Sequence, residues 1–186
     1  MGREVRRVPP DWQHPTEWAK DWQTGQLTQH YRPLLDGPYT ERAAEWDAER
    51  AAWDRGEVRS YGGASHWEPK SEAASQCASF EEWGGERPQP ENYMPDFPPG
   101  TATHLMMYET ATEGTPISPA FATPEELARW LADTDASAAG DMSATYEQWL
   151  ATCKRGWAPS AISVLGQPLT SGVAALSDQP GNPGRT

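Results

Sequence analysis

Eighteen prolines and sixteen glycines interrupt these 186 residues so often that few stretches can run on as regular helix or strand. Each proline fixes its own φ and pushes its predecessor out of the helical region, and each glycine weakens the element it enters. Apolar residues make up only 37 % of the chain, and Leu, Ile and Val are sparse. Ten tryptophans, from Trp12 to Trp157, must therefore supply much of the apolar area that folding can bury. Such a chain is expected to build a modest core with long irregular connections. The fold class expected is α+β: a small antiparallel sheet with two to three helices, an irregular Pro/Trp-rich N-terminal segment lying across it, and long loops.

Four segments follow from the local pattern: an N-terminal extended segment and helix over 1–60, an acidic Gly/Pro-rich connection over 61–100, a compact α+β part over 101–176, and a loose tail over 177–186. In the first, Val8-Pro9-Pro10 and His14-Pro15 read as extended, and Glu17 to Gln23 as one or two helical turns carrying Trp18 and Trp22. Thr40 to Arg55 is the clearest helix, with Thr40 as N-cap and Gly56 after the last turn. Trp46 and Trp53 share one stripe of it, and Ala44, Ala48 and Ala51 line another side. Residues 56–100 read as a long connection with one short helix at Phe80 to Trp83. Thr103 to Thr110 reads as a strand. Thr123-Pro124-Glu125-Glu126 is a helix start with an N-cap, a proline at the first position and a capping box. A second helix over Ser143 to Arg155 carries Tyr146, Trp149, Leu150 and Cys153 as its apolar stripe, with Gly156 as its stop.

The charge is uneven. The whole chain carries a net charge of −12, and residues 61–150 alone hold fifteen acidic against three basic side chains. A segment like this repels nucleic-acid phosphates and attracts basic surfaces. Direct nucleic-acid binding is not expected, although Arg3, Arg6 and Arg7 form a small basic N-terminal arm. No apolar run approaches the roughly 18 residues of a membrane span. The start lacks the apolar region of a secretory signal, so a reduced, cytoplasmic location is expected.

No motif announces chemistry. His14, His30, His66 and His104 do not pair with Cys or His at metal-ligand spacing, and Cys77 and Cys153 lack CxxC partners. No catalytic residue, metal or cofactor is assigned. Glu109 and Glu113, bracketing a turn beside His104 and Tyr108, are the one carboxylate cluster worth inspecting as a pocket.

The tryptophans divide. Trp130 and Trp149 read as core. Trp12, Trp18, Trp22, Trp46 and Trp53 lie where few aliphatic residues can cover them, and with Arg42, Glu81, Glu82, Glu109 and Glu113 they form the candidate binding set.

Two stretches carry a resemblance. Arg3-Glu4-Val5-Arg6-Arg7-Val8-Pro9-Pro10-Asp11-Trp12-Gln13-His14-Pro15 resembles the start of a group of small uncharacterised proteins of tailed phages and prophages. The stretch from Tyr108-Glu109 through Glu113-Gly114-Thr115-Pro116-Ile117-Ser118-Pro119 to Thr123-Pro124-Glu125-Glu126-Leu127-Ala128-Arg129-Trp130-Leu131 resembles the later part of the same group. The resemblance implies phage origin and assigns no residue roles. In that context the leading expectation is a non-enzymatic accessory protein in the host bacterial cytoplasm. It would bind and inhibit a host protein or complex, a defence system among the candidates, through an acidic surface and Trp anchors. Self-association is a further expectation. The alternatives are a sponge that sequesters a nucleotide messenger, with Arg3, Arg6, Arg7 and Arg32 meeting its phosphates, and a virion or assembly component.

Overall fold

The computed structural model describes residues 2–21, 24–60, 65–163 and 169–175. In chain order the elements are β1 (Gly2–Val8), β2 (Thr16–Lys20), β3 (Leu27–Tyr31), α1 (Tyr39–Asp54), β4 (Glu57–Ser60), β5 (His66–Pro69), α2 (Glu72–Gln76) and α3 (Phe80–Gly84). After a 3-10 turn at Pro90–Asn92 come β6 (His104–Glu109), β7 (Thr115–Pro116), α4 (Pro124–Asp133), α5 (Tyr146–Arg155), β8 (Trp157–Pro159), β9 (Ala161–Ile162), β10 (Thr170–Ser171) and α6 (Gly172–Ala175). The class is α+β, with six helices and small antiparallel sheets among the described residues. Three of the helices are four or five residues long, which is why the sequence led us to expect only two or three.

The chain divides into two compact units, 1–34 with 97–186 and 35–96. These boundaries differ from the four segments read in the sequence. The N-terminal strand belongs with the C-terminal part, and most of the expected helix-plus-connection forms a unit of its own.

In the first unit a four-stranded antiparallel sheet runs in the order β7-β6-β1-β8. The N-terminal segment is thus an interior strand of the sheet. Its three arginines had disguised it. Arg3 is 1 % exposed, its Nη1 donating to Glu109 Oε1 at 2.6 Å and its Nε to the Ser137 carbonyl at 2.8 Å. Arg6 is also buried, donating to the Leu34 carbonyl and to Glu4, with its guanidinium 4.5 Å above the Tyr108 ring. Buried cations are tolerated only with such partners. The expected basic arm is therefore a piece of folded sheet.

The register pairs Val5 with Met107 and Arg6 with Met106, so alternate residues of β1 and β6 point to opposite faces. On one face Leu105 and Met107 pack against Leu127, Leu131, Trp149 and Cys153 of α4 and α5. Each buried Leu contributes on the order of 2 kcal/mol of apolar burial. The first of these helices starts where the sequence predicts, whereas the second starts at Tyr146 rather than Ser143. Thr123 and Glu126 close a capping box on α4, Thr145 and Gln148 close one on α5, and Gly156 at φ +90° ends α5. On the other face lie Met106 and Tyr108. Residues Glu17 to Lys20, expected as helix, belong instead to the β2–β3 hairpin, in which Thr16 pairs with Tyr31 and Trp18 with Gln29. The expected tail over 177–186 lies outside the described residues.

The second unit is built on α1. Its N-cap is Pro38, without a side-chain bond, so Thr40 does not cap it. Ala44, Ala48 and Ala51 face solvent, while Ala43, Ala52 and Trp53 are buried. The stretch expected as a connection folds into the β4–β5 hairpin and two short helices, started by the side chains of Ser71 and Ser79. Trp53, Val58, Ala74 and Phe80 make a small core with Trp46 packed against it. Among the described residues no helix is long and apolar enough to cross a membrane.

Candidate functional site

The candidate binding residues do not gather in one place. In the second unit, Trp53 is 8 % exposed, its ring near-parallel to that of Trp83 at 6.3 Å, with Lys70 Nζ 3.5 Å above it. Trp46 is half-buried, its ring 5.1 Å from Phe80 and its Nε1 donating to the Gly85 carbonyl at 3.0 Å. These two tryptophans serve the core of their unit. Glu81 and Glu82 lie exposed in the first turn of α3. Glu81 faces Arg50 at 3.7 Å, and Glu82 accepts from the Ala78 amide at 2.6 Å. Bonding at the helix start holds the Glu81 carboxyl below its usual range. Arg42 is exposed and paired with Glu45 at 3.0 Å.

In the first unit, Glu109 is tied to Arg3, and Glu113 sits exposed at φ +57° in the turn before Gly114. They do not form a pocket with His104 and Tyr108. β-strand alternation sends Tyr108 to the opposite face from Glu109, and His104 lies at the far end of β6. Trp18 is 67 % exposed on the hairpin, and Trp22 lies outside the described residues.

Two arrangements emerge, one foreshadowed by the acidic segment read over 61–150 and one that the sequence did not single out. One is an acidic surface on the second unit. That unit holds fourteen acidic and six basic side chains, a net charge of −8. All five of its arginines face carboxylates of the same unit: Arg42 with Glu45, Arg50 with Asp54 and Glu81, Arg55 with Glu57, Arg59 with Glu49, and Arg87 with Asp47. Lys70 sits on the Trp53 ring. Within this acidic field Trp67 and Trp83 are 42 % and 41 % exposed, directly beside Glu68 and Glu82 in the chain. The signal was present in the sequence, since each indole has a Glu as one chain neighbour, but their exposure follows only from the hairpin and the short helix.

The other is a cleft of about 820 Å³ in the first unit, lined by Trp12, Gln13, His14, Tyr31, Ile117 and Trp130 among others. Beneath it runs a chain of hydrogen bonds. Trp12 Nε1 donates to the Tyr108 hydroxyl at 3.3 Å, that oxygen lies 3.2 Å from His14 Nδ1, and His14 Nε2 is 2.7 Å from the Arg32 carbonyl. A carbonyl only accepts, so Nε2 carries the proton and Nδ1 accepts from Tyr108. Burial lowers the His14 pKa, and the Arg6 charge adds to this against the opposing bond to the Arg32 carbonyl. His14 is therefore neutral near neutral pH.

Cys153 lies in the core, and burial pushes its thiol up to about 12, with Glu125 adding to the shift, so no thiolate is available there. Among the described residues no three His, Cys, Asp or Glu side chains converge as a metal site needs. The cleft brings no Lys or Arg side chain into its lining, so it lends the nucleotide-sponge reading no support. No family model, curated protein or solved structure matches this chain.

Proposed function

We propose that this is a non-catalytic binding protein whose 35–96 unit occupies a basic surface on a partner macromolecule. The resemblance to small phage proteins makes a bacterial host factor, a defence component among the candidates, the partner class, met in the host cytoplasm. One observation carries the reading. Every cation of the 35–96 unit is already engaged inside it, and a net charge of −8 remains on a surface that also presents Trp67 and Trp83. Such a surface favours basic patches and disfavours phosphates, and exposed indoles, each with a glutamate beside it in the chain, supply apolar contact that charge alone does not. The anchors in this reading are Trp67 and Trp83, since Trp46 and Trp53 hold the unit together.

The test is native capture from a bacterial lysate, identification of the partner by mass spectrometry, and titration of the purified pair. The expected affinity falls by at least about tenfold as salt rises from about 0.05 M to about 0.5 M. It also falls by on the order of tenfold in Glu81→Lys/Glu82→Lys. An affinity flat in salt and unchanged by the charge reversal would sink the proposal.

A further inference from the structure

The cleft of the first unit takes no part in that electrostatic reading, and its chemistry is of another kind. Its volume, about 820 Å³, falls in the range of small-molecule sites, roughly 300–1,000 Å³. Part of its wall is aromatic. Trp12, His14 and Tyr31 line it in an edge-to-face string with centroid separations of 6.3 and 5.6 Å, and Phe97, outside the lining, packs against Trp12 at 5.1 Å. Trp130 also lines the cleft.

The polar atoms narrow the class further. No Asp, Glu, Lys or Arg side chain lines the cleft. Trp12 Nε1 and both ring nitrogens of His14 already have partners, and the Ser118 hydroxyl accepts from the Met107 amide and donates to the Pro119 carbonyl. Pro10, Pro116 and Pro119 bring no N–H, and the Ile117 amide donates to Met107. Gln13, Thr16 and Tyr31 add uncharged amide and hydroxyl groups that can hydrogen-bond a neutral guest, whereas a phosphate would meet no cation. Burial keeps His14 uncharged, which completes a neutral lining.

We propose that this cleft is a binding site for one uncharged, planar aromatic small molecule, held by ring contact between Trp12, Tyr31 and Trp130. The probe is N-phenylnaphthylamine, whose fluorescence rises in apolar sites, set against its sulfonated relative, anilinonaphthalene sulfonate, which has the same rings plus a charge. The full chain is expected to bind one N-phenylnaphthylamine saturably and the sulfonate at least about tenfold more weakly. Tyr31→Ala, at a half-exposed position, weakens binding by on the order of fivefold. Gln13→Trp, which fills the cleft from its exposed rim, weakens it as well, while Leu27→Ala on the same hairpin leaves it unchanged. Circular dichroism confirms that each variant is folded. Absence of saturable binding, equal binding of the two dyes, or wild-type binding by both Tyr31→Ala and Gln13→Trp would overturn the proposal. None of these results bears on the salt-dependent partner binding of the other unit.

Discussion

In the first unit Leu105, Met107, Leu127, Leu131 and Trp149 close a core between a sheet and two capped helices. In the second unit four residues, Trp53, Val58, Ala74 and Phe80, form the buried centre, with rings packed on rings and Lys70 over an indole. Around that centre lie ion pairs whose side chains are mostly more than a third exposed. Exposed pairs contribute only about 0–1 kcal/mol each, so the second unit rests on very few aromatic side chains. The same shortage of aliphatic residues is met in one unit by layered secondary structure and in the other by a handful of rings. The larger core leaves indoles free to line a cleft, whereas the smaller one uses two of its own and leaves the other two on its acidic surface.

Truncation of the central ring of each core is the strongest way to break that contrast. Trp149 is fully buried, and Trp149→Ala is expected to destabilise by about 3–5 kcal/mol. Phe80, 3 % exposed, touches both Trp46 and Trp53. Phe80→Ala is expected to cost about 3 kcal/mol out of a smaller total. Hydrogen exchange reads where protection is lost: in α4 and α5 for Trp149→Ala, in α1 and β4 for Phe80→Ala. Equal loss in both units from either substitution would erase the distinction.

The contrast also explains what could be read in advance. Thr123-Pro124-Glu125-Glu126 and the Leu127, Trp130, Leu131 spacing place α4 within a residue, because cap chemistry and helical period agree. Gly156 ends α5 as expected, although that helix starts at Tyr146 rather than Ser143. The second unit was legible only at α1 and near Phe80. Its hairpin alternates Val58 with arginine and glutamate and carries no apolar stripe, and its short helices hold too few residues to show a period. Ser79-Phe80-Glu81-Glu82 did carry the pattern of a capped start. Strand β1 was hidden for another reason. Its arginines are buried by partners more than a hundred residues away in Arg3 and by an aromatic ring under Arg6, and no local pattern announces such partners. The cleft was illegible in the same way, since His14 meets Tyr108 only through the tertiary fold.

Acid should separate the units next. The folded His14 pKa lies below its ordinary value of 6.5, so between those two values the unfolded chain binds more protons than the folded one. Stability of the first unit is then complete above about pH 6.5 and falls as pH drops toward the lowered value. A protonated Nδ1 can no longer accept from Tyr108, and the new charge faces Arg6. Asp47 in the second unit behaves oppositely in its timing. Its bonds from Arg87 hold it below 3.8, so its contribution is present above that value and is lost only as pH falls through the lowered one. Thermal melts at about pH 7.5 and about pH 5 are expected to differ for the first unit and to coincide for the second. His14→Gln should remove the difference. A first unit indifferent to this range would mean that the His14–Tyr108 bond does not require the neutral ring.

The smallest expected effects come from one substitution made at two threonines of α5. Thr145 accepts from the Gln148 amide as N-cap, and Thr145→Val should cost about 1 kcal/mol. Thr152 is fully buried, and its hydroxyl has no hydrogen-bond partner in the protein. Valine has nearly the same shape without the oxygen, so Thr152→Val removes a desolvated polar group and leaves no cavity. The expected outcome is a gain of up to about 1 kcal/mol, read as a rise in the denaturant midpoint at unchanged slope. Opposite signs for the same change, seven residues apart on one helix, sharpen the claim that apolar packing holds the first unit together and that polar groups matter at its helix ends. A loss at Thr152 would place a partner, such as a buried water, beside that hydroxyl. The core of the first unit would then depend on an internal polar contact and stand closer to the second unit than its packing implies.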